Sequence, residues 1–73
     1  MPTAALDLTP GTTYTLGDPS EPANTLTVRG RPHPHTVHPL RGAGVEVIRI
    51  PVTTADGTHT HDTVFPGDTI QTN

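Results

Sequence analysis

Short runs of alternating apolar and polar residues recur along this chain, separated by clusters of Gly and Pro. A period of two marks strands with one buried face, and Gly/Pro clusters mark the turns between them. Residues 12–16 (TTYTL) place Tyr14 and Leu16 on one face, and residues 25–31 (TLTVRGR) do the same with Leu26 and Val28. Residues 45–52 (VEVIRIPV) are the strongest strand candidate, followed by residues 58–65 (THTHDTVF) and the closing run 69–72. Residues 17–24 read as a loop and residues 32–44 (PHPHTVHPLRGAG) as a long irregular connection. The one stretch of helix formers free of Gly and Pro, residues 3–9, is too short to stand as a helix alone. The pattern predicts an all-β fold. It would be a small barrel or sandwich of about five short, mostly antiparallel strands joined by long Pro/Gly-rich loops. Residues 1–73 form one domain, with residues 1–11 as an N-terminal arm.

The sharpest local signal is Asp56-Gly57 between the two longest runs, a pair favoured in two-residue type I′ hairpin turns. That turn pairs Ile48 with Phe65, Ile50 with Thr63 and Val52 with His61, and puts Arg49, Asp62 and Val64 on the opposite face. The rival is a three-residue loop, 55–57, with Gly57 left-handed. It slips the register by one and sets Asp62 opposite Ile50. A carboxylate among isoleucines is costly, which favours the two-residue turn. Pro51 donates no hydrogen bond, so its strand is expected to lie at an edge or be bulged there.

Large apolar residues are few for 73 positions, and hydrophobic residues make up 30% of the chain. Both Tyr14 and Phe65 have apolar neighbours at strand spacing and are expected in the core. Small domains with thin cores generally need a disulfide, a metal or association with another chain. Cys is absent, so no disulfide forms.

The five histidines bear on the metal option. His33, His35 and His38 lie in the long connection, and His59 and His61 share one face of a strand. Imidazole ligates zinc, and these five are the candidate ligands. Closed zinc sites in small folds usually include Cys, and the expectation is therefore that no metal or other cofactor is bound.

Catalytic signatures are missing as well. The one serine, Ser20, sits between loop prolines, and most of the acidic residues sit in turns, where local hydrogen bonding favours them. No catalytic residue is assigned and the chain is expected not to be an enzyme. Net charge is −3, with no Lys and four Arg, whereas nucleic-acid binders usually carry a basic excess. The local cluster Arg29, Arg31, His33 and His35 is the one positive patch. A small OB- or SH3-like nucleic-acid module thus stands as an alternative, beside a His-based metal-binding domain. No apolar run is long enough to span a membrane, and the N-terminal sequence lacks a signal-peptide pattern.

These exclusions leave association. The expected function is that of a non-enzymatic interaction module whose protein partner is a copy of itself or a larger assembly. The expected contact residues are Pro2, Leu6 and Leu8 of the arm, with Pro32, His33, His35, Val37 and Leu40 of the connection. Neither segment has an evident partner within the chain. Abundant Thr, Pro, Gly and Arg without Lys is the bias of a GC-rich genome. A small virion protein, of the capsid-decoration or head–tail type, from a phage of an actinobacterial host fits this size and composition. Such a protein would be found in the virion or the cytoplasm.

Overall fold

The computed structural model describes residues 2–17 and 20–73. The all-β expectation holds, with seven strands rather than about five among the described residues. They are β1 (Pro2–Ala4), β2 (Thr13–Thr15), β3 (Thr25–Val28), β4 (His33–Val37), β5 (Val45–Thr53), β6 (His59–Val64) and β7 (Thr69–Gln71). Five strands form one antiparallel sheet in the order β2-β3-β5-β4, with β6 on the other edge of β5. Strands β1 and β7 form a second, two-stranded antiparallel sheet. The sheets do not close into a barrel. They are linked by a bridge between Tyr14 and Thr72 and by the Asn73 N–H, which donates to the Thr13 carbonyl at 2.9 Å. In the expected loop 17–24, Asp18 and Pro19 lie outside the described residues, and Pro22–Asn24 forms a short 3-10 helix.

The core lies on one face of the larger sheet. Leu26, Val28, Ile48, Ile50 and Val52 meet Tyr14, with Ala5 and Leu8 closing over them and Val64 and Ile70 at the margin. Two expectations are corrected here. Residues 2–9 do have a partner within the chain: β1 pairs with β7, and Ala5 and Leu8 are buried. The connection 32–44 is also not irregular throughout, since His33–Val37 pairs with Val45 to Arg49. His33 and His35, being β-favourable only by context, become strand residues because β5 offers them a free edge.

Strands β3 and β4 run one after the other along the same edge of β5, and a bulge of residues 29–32 lies between them opposite Pro51, where the sequence predicts either an edge or a bulge. Val28 pairs with Val52 and His33 with Arg49, so residues 29–32 face only Ile50 and Pro51. The Arg29 N–H donates to the Pro51 carbonyl at 2.9 Å. Pro51 therefore directs its backbone toward this bulge, where its missing N–H leaves no ladder bond unmade. By the same alternation Pro34 turns its nitrogen to the free edge of β4, which blunts that edge against another strand.

The β5–β6 hairpin takes the register set aside on sequence grounds: Ile50 faces Asp62, Ile48 faces Val64 and Val52 faces Thr60. The turn is the three-residue loop, closed by Thr54 N–H to the Thr58 carbonyl at 2.9 Å and Gly57 N–H to the Thr54 carbonyl at 3.0 Å. A type I′ turn would need positive φ at both Asp56 and Gly57. Only Gly57 has it, at 88°, and no non-glycine residue among those described does. The Thr58 N–H donates to both the Thr54 hydroxyl and the Asp56 carboxylate, each at 3.1 Å, and the Thr54 hydroxyl also donates to Asp56. These bonds hold the Asp56 carboxyl below the usual carboxylate range.

Candidate partner-binding face

A one-residue slip turns every side chain of a strand to the other face of its sheet. In the observed register Thr60, Asp62 and Val64 face the core, and His59, His61 and Thr63 face outward. The core contains Val64 in place of the expected Phe65, which is 61% exposed. Asp62 is only half-buried and accepts a hydrogen bond from the Tyr14 hydroxyl at 2.8 Å, so its carboxylate is not stranded among the isoleucines. A hydrogen bond to a charged group contributes about 1.5–3 kcal/mol, enough to reverse the register preference.

The outer face of the larger sheet is built from matched positions on three strands. Arg49 is flanked by His33 on β4 and Thr63 on β6; Val47 lies beside His35, Pro51 beside His61, and Thr53 beside His59. Four of the five histidines thus share one face, where β4 supplies two and β6 two. The His33 and His61 rings meet edge to face with centroids 6.3 Å apart. His38 lies beyond β4 and packs near Gly44, where an added Cβ would come within 2.7 Å of the Thr36 methyl. Among the described residues no three His, Asp or Glu side chains converge closely enough to hold a metal ion.

Arg29 enters this face from the bulge. Its Nε donates to the Val52 carbonyl at 3.2 Å and its terminal nitrogen to the Thr60 carbonyl at 3.4 Å, so the guanidinium lies across β5 and β6. Loss of water around the ring and the charges of Arg49, Arg29 and His33 all push the His61 imidazole below its ordinary range. No register position on this face is Asp or Glu: Glu46 and Asp62 point to the opposite side. The Arg49 side chain has no carboxylate partner among the described residues.

Toward its other end the face becomes apolar and leaves the core. Val37 pairs with Val45, and both are about half-exposed; Leu40, in the loop between them, is fully exposed at 106%. The molecule is elongated, 38 × 23 × 22 Å. Its radius of gyration is 12.8 Å, where a compact chain of this length has about 11 Å.

Of the expected contact residues, His33, His35, Val37 and Leu40 come together along this face and its hairpin. Pro2 and Leu6 are exposed elsewhere, on the first strand and the turn after it. Leu8 and Pro32 are buried in the domain's own interior, which corrects their assignment as contacts. Arg49, His59 and His61 join the positive patch only through the sheet, because they lie far from residues 29–35 in sequence. The signal that would have found them is the turn, whose Thr-x-Asp-Gly-Thr sequence favours a three-residue loop through side-chain hydrogen bonds to its own backbone.

The fold and this face define a small two-sheet antiparallel β-domain whose main core cluster lies on one side of the larger sheet. Comparison with protein-family models, with curated proteins and with solved structures finds no match. Among the described residues no helix is long and apolar enough to cross a membrane.

Proposed function

We propose that this domain is a non-enzymatic docking module that engages a protein partner through the outer face of its larger sheet and the β4–β5 hairpin. The observation that carries this reading is the hairpin itself, which holds Val37, Val45 and a fully exposed Leu40 out beyond the core. Exposed apolar side chains gathered at one end of a small domain mark interaction sites, whereas scattered ones do not. The thin core supports the same reading, since binding of the folded form alone adds stability. Size and composition favour a subunit of a larger assembly as the setting. A capsid-decoration or head–tail protein of a phage with a GC-rich actinobacterial host is the particular case proposed.

What supports the non-enzymatic part of the proposal is the lining of one depression among the described residues. A depression of about 630 Å3 is lined by Ala23, Thr54, Ala55, Asp56, Thr58 and Thr60. Its one titratable group, Asp56, is already engaged by Thr54 and Thr58.

Photo-crosslinking in the cells or particles that contain the protein tests the docking surface. A photoreactive residue at position 40 is expected to join one discrete species, either a second copy or one other chain. The same residue at position 55, in the β5–β6 turn, is expected to join none. No product from position 40, or equal products from both, refutes the docking surface.

A further inference from the structure

We propose that the partner presents an acidic protein segment, which seats on Arg29, Arg49, His33 and His61, and that this attachment tightens on acidification. The inference rests on the docking reading and names the chemistry of its partner. The chain as a whole is acidic, at −3, yet two of its four arginines, Arg29 and Arg49, and four of its five histidines lie on one face. Arg49 sits between His33 and Thr63, His33 meets His61 edge on, and Arg29 is drawn across β5 and β6 by two backbone carbonyls. Among the described residues no register position beside this group is acidic, because Glu46 of β5 and Asp62 of β6 point to the other side. Like charges held together without a counter-ion raise the free energy of the isolated domain. A carboxylate placed among them relieves that repulsion and makes charge-assisted hydrogen bonds to Arg.

The direction of the pH dependence follows from the groups facing His61. These are Arg49 on β5, Arg29 from the bulge, His33 on β4 and, two positions along β6, His59. Arg49 and Arg29 are permanent cations, so the free domain resists protonation of this ring. A bound carboxylate reverses the sign of the local field and favours the imidazolium. Binding therefore takes up protons, and by linkage its affinity rises as pH falls through the histidine range.

A nucleic acid is the less favoured occupant. Base stacking needs exposed aromatic rings beside the cations. Tyr14 is buried in the core, which leaves Phe65, past the end of β6, as the one exposed Tyr or Phe ring among the described residues. The face also continues into Val37, Val45 and Leu40, which suit a protein surface better than a phosphate backbone.

The test uses the whole domain and a short oligoglutamate peptide as probe, with oligothymidylate as comparison, followed by amide chemical shifts. Oligoglutamate is expected to move resonances of β4, β5 and β6, and to bind at least several-fold more tightly at about pH 5.5 than at about pH 7.5. The R49Q variant should weaken binding at both pH values, and H33Q/H61Q should flatten the pH dependence. R41Q, at the hairpin tip, should change neither. Melting temperature shows that each variant folds. Affinity independent of pH, affinity unchanged in R49Q, or tighter binding of oligothymidylate each overturns the proposal. If crosslinking from position 40 survives in the R49Q/H33Q/H61Q variant, docking stands and the acidic partner does not.

Discussion

The Tyr14 hydroxyl donates to a carboxylate oxygen of Asp62 at 2.8 Å, across 48 residues of sequence and from one side of the core to the other. The single bond joins β2 to β6 and fixes which face of β6 looks inward. With Asp62 held there, Val64 completes the core and both histidines of β6, His59 and His61, turn outward.

Removing either partner of this bond should destabilise the fold. Y14F leaves Asp62 half-buried without its donor and is expected to cost about 1–2 kcal/mol. D62A leaves a buried phenol unsatisfied, at about 1–3 kcal/mol. In a double-mutant cycle read by urea denaturation, the double variant should be less destabilised than the sum of the two. Strict additivity would show that the contact contributes nothing.

Burial pushes the Tyr14 phenol up, and its hydrogen bond to Asp62 and that group's negative charge push it the same way. This residue is the one tyrosine of a chain without tryptophan, so its ionisation can be followed directly. The tyrosinate absorbance should stay flat through about pH 10, where an unfolded tyrosine ionises. Above its pKa the unfolded chain releases a proton that the folded domain keeps, so this contribution to stability is complete below about pH 10 and lost as pH rises further. A normal tyrosinate titration in the folded domain would refute the buried, bonded phenol.

Gly57 has φ of 88° with no atom near enough to obstruct a side chain. Replacement there is a matter of backbone strain alone. G57V should cost more than about 1 kcal/mol, and G57N less, because Asn tolerates the left-handed region better than a β-branched residue does. Equal melting temperatures for the two variants would count against the three-residue loop.

Leu8 is 4% exposed and belongs to the core. L8A is expected to cost about 2–4 kcal/mol in thermal or urea unfolding. Removing residues 1–9 takes away the partner of β7 together with Ala5 and Leu8, and should abolish cooperative unfolding. If the shortened chain melts like the full one, the N-terminal strand is not part of the fold.

The alternating pattern by itself determined the class of fold and the positions of five strands, because burying one face of a strand forces a period of two onto the chain. It also determined the inward set Leu26, Val28, Ile48, Ile50 and Val52, and the interruption at Pro51, whose missing donor is a local fact. Tertiary structure decided the rest. The edge of β5 made strands of His33–Val37, and the core recruited a segment that reads as a free arm. The register of β6 was decided by a bond to Tyr14 that no local window contains. Local rules count Asp62 as an unpaired charge beside Ile50, and only the assembled core brings its partner within reach. The face that gathers His33, Arg49 and His61 depends on that same choice, since one residue of slip would have turned His61 into the interior.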